Sequence, residues 1–91
     1  MLNFLYLSMF YLYILYSASR YKYYVGSTSN LAERLKAHNS NHRGFTGRTG
    51  DWEIVYTENY STREEAYARE RAVKKWKSRR LIEKLISSAG S

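Results

Sequence analysis

The chain is predicted to be an α/β protein of the α+β type, a single small domain in which about three helices flank a sheet of three strands. Three observations predict it. Two short apolar runs, Phe10 to Tyr16 and Tyr21 to Val25, are separated by only a few polar residues, too few for a crossover, so they should pair as an antiparallel hairpin. A third run rich in β-formers, Trp52 to Tyr60, follows the first helical segment and supplies another strand. The remaining apolar positions recur at helical spacing in three separate stretches.

Phe10 to Tyr16 is continuously aromatic and aliphatic, as a strand covered on both faces would be, and it should lie at the centre of the sheet. Tyr21 to Val25 is of the same character; Gly26 ends it and Ser27 to Asn30 makes a polar turn. Asn30 with Glu33 three positions on opens a helix in which Leu31 and Leu35 repeat at i, i+4, as far as about Ala37 or His38. Arg34 and His38 are also four apart, so they project from one face of that helix. Residues 39–51 contain three glycines and two arginines without periodicity and read as a basic loop, either a plain connection or a loop that contacts phosphate.

Thr62 and Glu65 form a capping box that opens a second helix running to about Lys77. Its buried stripe is marked by Ala66, Val73 and Trp76, and Glu70 falls on that stripe. Ser78 can cap a last helix whose apolar face is Leu81, Ile82, Leu85 and Ile86. The domain is thus expected over residues 9–86. Residues 1–8 form an extension ahead of Met9, with no function assigned, and residues 87–91 a frayed tail.

Ninety-one residues hold one core, since separate cores need something like ~100 residues or more apiece. There is no cysteine, which excludes disulfides and thiolate metal sites and fits a reducing, cytoplasmic setting. Any bound metal must use oxygen or imidazole. The first nineteen residues carry no charge, yet Asn3, Ser8, Ser17 and Ser19 interrupt a run shorter than the ~20 apolar residues of a membrane span, and no basic start marks a signal peptide. Fifteen Lys and Arg against eight Asp and Glu leave a net charge of +7, so a polyanion, nucleic acid first, is the natural partner.

Hydrolysing a phosphodiester takes a base for the water, a cation on the non-bridging oxygens and stabilisation of the leaving alkoxide. Tyr13 and Tyr24 offer hydroxyls able to relay a proton, Arg34 a planar fork suited to phosphate, and Glu70 a carboxylate for a hard divalent ion. Each also has an ordinary reading. The tyrosines can be core aromatics, Arg34 a solvated arginine and His38 a cap at the helix C-terminus, whereas an acid on an apolar stripe must be paired, at the rim, or functional.

The ordered set Tyr11-Leu12-Tyr13, Tyr24-Val25-Gly26, Arg34, His38 and Glu70 resembles the GIY-YIG nuclease superfamily, and the small stand-alone bacterial UvrC-like or UPF0213-type branch in particular. Further pieces of the resemblance are His38-Asn39, Trp52-Glu53-Ile54-Val55-Tyr56, Arg69-Glu70-Arg71 and Lys74-Lys75-Trp76. The resemblance implies a GIY-YIG fold, with a three-stranded antiparallel sheet, and a metal-dependent endonuclease of the bacterial cytoplasm acting on branched, nicked or damaged DNA, as in DNA repair. It places Tyr13 and Tyr24 at the motif tyrosines, one of them the general base, and Arg34 on the scissile phosphate. His38 takes a position near the phosphate or the proton relay, and Gly26 one where a side chain would crowd the site. Glu70 takes that of the ligand to a single Mg2+ or Mn2+. The chain departs from the pattern at Tyr11, where the first motif has glycine, at Val25, where the second has isoleucine, and in having no asparagine after Asn59.

Two rival readings follow from the residues. One is a nucleic-acid-binding module with little or no nuclease activity, presenting Arg43, Arg48, Lys74, Lys75, Lys77, Arg79 and Arg80, with Trp76 and Phe45 for stacking. The other is an interaction domain that docks through the basic amphipathic stretch from Lys75 to Ile86.

Overall fold

The computed structural model describes residues 9–89; the expected extension at 1–8 and the last two residues lie outside them. The elements in order are β1 (Phe10–Ser17), β2 (Lys22–Thr28), α1 (Leu31–His38), β3 (Trp52–Tyr60), α2 (Arg63–Trp76) and α3 (Arg79–Ala89). The sheet runs β2-β1-β3, antiparallel throughout, so the most apolar strand is the central one.

Alternation along β1 divides the core in two. Leu12 and Ile14 pack with Val25, Val73 of α2 and Ile82 of α3 on one face of the sheet. Tyr13 and Leu15 pack with Trp52, and with Leu31 and Leu35 of α1, on the other. A continuous run of buried side chains, Leu12 to Leu15, is what a central strand covered on both sides requires.

The helix starts expected from the sequence are present as hydrogen bonds. Asn30 Oδ1 accepts from the Glu33 amide at 3.1 Å, and Thr62 and Glu65 make a reciprocal capping box. Ser78 Oγ accepts from the Leu81 amide at 3.2 Å. α2 stops at Trp76 because Lys77 adopts φ 48°, a left-handed cap that turns the chain into α3.

Four local expectations change. β2 continues through Gly26 to Thr28, since its partners on β1 run on to Tyr11. α3 continues through Ser87 and Ser88 to Ala89, their hydroxyls bonding the carbonyls of Lys84 and Leu85. Leu81 points outward while Ile82 is buried, so the apolar face of α3 is narrower than its sequence predicts. Trp76 packs against the core under the Arg69 guanidinium and is not a free stacking surface.

Arg69 also fixes α2 to β3. Its guanidinium makes two bonds to Glu58, at 2.9 and 3.1 Å, and the hydroxyls of Tyr56 and Tyr60 donate to the same carboxylate. No helix among the described residues is long and apolar enough to cross a membrane.

Candidate active site at the edge of β2

Directly opposed residues of an antiparallel pair share a face, and Tyr13 is opposite Gly26. With no side chain at Gly26, the Tyr13 ring leans across β2 and brings its hydroxyl over the glycine; a Cβ there would lie 2.5 Å from that oxygen. Ser27, the next residue, is opposite Leu12 and so faces the α2 side of the sheet. It donates from Oγ to Glu70 Oε1 at 2.6 Å. Glu70 therefore lies at the edge of β2 on the sheet face opposite to α1, near enough to the Tyr13 hydroxyl to act on it electrostatically.

From the α1 side, His38 meets the same hydroxyl, Nε2 lying 2.7 Å from Tyr13 Oη. The cap of α1 is Asn39, not His38. Asn39 clamps the loop by two bonds to the main chain of Trp52, while His38 is buried. Tyr24 packs obliquely beside the two, its ring centroid 4.6 Å from that of His38 and 6.3 Å from that of Tyr13. Arg34, one turn before His38, lines a cavity of about 410 Å³ with Tyr24, His38, His42, Phe45 and Thr46.

The electrostatics follow from this crowding. Burial pushes the Tyr13 phenol above its ordinary value, against the pull of Arg34, with Tyr24 and Glu70 adding to the rise. Burial, helped by the nearby charge of Arg34 and by His42, takes His38 down to about 4, so its ring is neutral at physiological pH. The second oxygen of Glu70 is held by Lys74 Nζ at 2.7 Å, and that ammonium also lies 5.5 Å from the Tyr24 ring.

Five of the expected residues thus come together: Tyr13, Tyr24, Arg34, His38 and Glu70. The cationic residues divide. Lys74, Lys77 and Arg79 line a groove of about 540 Å³ beside Tyr24, and Arg43 and Arg48 an adjoining one of about 590 Å³. Lys75 and Arg80 line neither. Phe45 is half exposed and borders both grooves, whereas Lys22 and Arg20 join them from the hairpin and were not singled out by sequence. Ser27, His42 and Thr46 were missed as well, because short polar residues in a turn or loop carry no periodic signal.

The fold and this cluster define a nuclease-type catalytic domain. The sequence model for the GIY-YIG catalytic domain matches residues 9–84, and the chain belongs to that family, one of nucleases. Among solved structures it is similar to the solution structure of the UPF0213 protein BH0048 from Bacillus halodurans, with 33% identity and a TM-score of 0.57. That match covers 91% of this chain and 87% of the other. No curated protein matches.

The donor set tests whether a divalent ion fits. Among the described residues no group of three or more His, Asp or Glu gathers around a common point. One carboxylate, positioned by Ser27 and carrying only a displaceable lysine on its free oxygen, suits a hard ion that keeps most of its waters, as Mg2+ does. Glu70 would be its protein ligand.

Proposed function

We propose that the chain is a divalent-metal-dependent endonuclease that hydrolyses DNA phosphodiester bonds. The observation that carries this reading is the Tyr13 hydroxyl, which lies within the influence of His38, Arg34, Tyr24 and Glu70 at one edge of the sheet. Tyr13 is the better placed of the two tyrosines to take a proton, since its oxygen alone contacts His38. In its phenolate form it accepts the proton of the attacking water, and the water oxygen bonds phosphorus as the 3′ oxygen leaves. Arg34 stabilises the charge that grows on the non-bridging oxygens. Glu70 would hold a divalent ion, which when bound would supply Lewis-acid stabilisation of the leaving oxygen. Tyr24 walls the site and packs His38 in place. The grooves lined by Lys22, Lys74, Lys77, Arg79, Arg43 and Arg48 carry the flanking phosphates.

A panel of labelled DNA forms, including branched, nicked and damaged substrates for a role in repair, tests the reading with Mg2+ and Mn2+. Cleavage should appear with the metal and vanish with chelator and in Glu70→Ala. Cleavage surviving both controls, or absent on every substrate, would refute it. A second reading, a nucleic-acid-binding module without cleavage, draws on Lys74, whose ammonium already neutralises Glu70. It expects salt-sensitive binding that Glu70→Ala leaves unchanged.

A further inference from the structure

Three consecutive residues at the end of β2 serve three different parts of the site, because successive side chains of a strand point to opposite faces. Gly26 admits the Tyr13 hydroxyl. Thr28 Oγ1 accepts from the Asn30 amide at 3.1 Å and so fixes the start of the helix that carries Arg34 and His38. Ser27 lies between them and faces α2, where its hydroxyl meets Glu70.

That meeting follows from packing. Val25 and Val73 share the core on the α2 side; Ser27 is two residues further along the strand and Glu70 one turn back along the helix, so both keep to the facing sides. An ionised carboxylate only accepts, so the Ser27 proton points at Glu70 Oε1, and 2.6 Å is the length of a charge-assisted bond. Glu70 has two hydrogen-bond partners among the described residues, and they are not equivalent. Lys74 sits on the same helix with its side chain 46% exposed, so it moves with the carboxylate and can leave it. Ser27 has a one-carbon stem and belongs to the strand that carries Tyr24 and Gly26. Among the described residues it alone ties the Glu70 carboxylate to the sheet.

We propose that Ser27 is a positioning residue for Glu70: it fixes Oε1, so that Oε2, shared only with Lys74, stays presented as the oxygen that takes a divalent ion. The role toward the ion rests on the nuclease reading; the bond between Ser27 and Glu70 does not. Ser27→Ala keeps every charge of the site and removes only this restraint. Its effect on an ion is therefore one of placement.

Calorimetric titration of the whole chain with Mn2+, in the absence of DNA, tests it on the unaltered protein, Ser27→Ala, Ser27→Thr and Glu70→Ala. One ion should bind in a Glu70-dependent way. Ser27→Ala should weaken it about tenfold, and Ser27→Thr should recover most of the loss, since threonine supplies the hydroxyl and suits a strand. In cleavage assays the Mn2+ concentration for half-maximal rate should rise by the same factor in Ser27→Ala with KM for DNA unchanged, a pattern that general loosening of the fold does not give. A double-mutant cycle of Ser27→Ala and Glu70→Ala in urea melts reads the bond with no metal present, and should show non-additivity of about tenfold in the unfolding constant. A Glu70-dependent ion bound equally well by Ser27→Ala, or additive melts, overturns the proposal. Mn2+ binding that ignores Glu70→Ala, beside a non-additive cycle, counts against the nuclease reading while the restraint on Glu70 stands.

Discussion

Tyr13 and Gly26 face each other across the β1–β2 ladder so closely that the hydroxyl of the first occupies the space of a side chain on the second. The glycine of the Tyr24-Val25-Gly26 motif is therefore required by sterics, within an ordinary strand. Gly26→Ala should destabilise the fold by about 1–3 kcal/mol or displace Tyr13, with loss of cleavage in either case. Urea melts beside a nuclease assay would show it, and an active, equally stable variant would contradict the packing described.

A phenol raised by burial is protonated at neutral pH, and only its phenolate can take a proton from water. The cleavage rate should therefore rise with pH through the neutral and alkaline range. A pH–rate profile of the intact protein checks this, and Tyr13→Phe should abolish the reaction. A rate falling with pH would point to a different base.

Acid stability has two separate windows. His38 titrates near 6.5 when unfolded and near 4 when folded, so between those values the unfolded chain binds a proton that the native state refuses. Stability should be complete above 6.5 and fall, by on the order of 2–3 kcal/mol, as pH drops to 4. Urea midpoints at intervals across this range should slope for the unaltered protein and flatten for His38→Gln.

For Glu58, burial pushes the carboxyl up, but Arg69 and the hydroxyls of Tyr56 and Tyr60 outweigh it, and the net shift is downward from 4.5. Its contribution is present above 4.5 and is lost as pH falls through the lower native value. Glu58→Gln should cost about 1–3 kcal/mol at neutral pH, measured by thermal melts, because it loosens α2 from β3.

If Glu70 is the metal ligand, Lys74 and an incoming ion would compete for the same oxygen. Lys74→Met should tighten Mn2+ binding about two- to fivefold, the equivalent of a partly exposed ion pair. Calorimetric titration in the absence of DNA measures it. Weaker binding in the variant would show that the lysine helps hold the ion site together. Binding of DNA should weaken in the same variant, with the slope of log K against log salt reduced by about 0.7–0.9 for the lost cation.

Much of the fold was legible in the sequence because its signals are local. The apolar run of β1, the caps at Asn30, Thr62 and Ser78, and the helical spacing around Ala66 and Val73 each act through neighbours in the chain. The spacing of Arg34 and His38 put them on one helix face for the same reason. Leu81 misled, since a stripe shows which residues are apolar and not how wide a face the neighbouring element covers.

What the sequence determined by itself is the order of strands and helices and the presence of two tyrosines, an arginine, a histidine and a glutamate suited to a phosphodiester. Only the tertiary structure decided how they meet. Sheet pairing set Tyr13 over Gly26, packing of α2 on the far face brought Glu70 round to Ser27, and closure of the loop buried Thr46 against His38. These are contacts between segments distant in the chain, which no local pattern names.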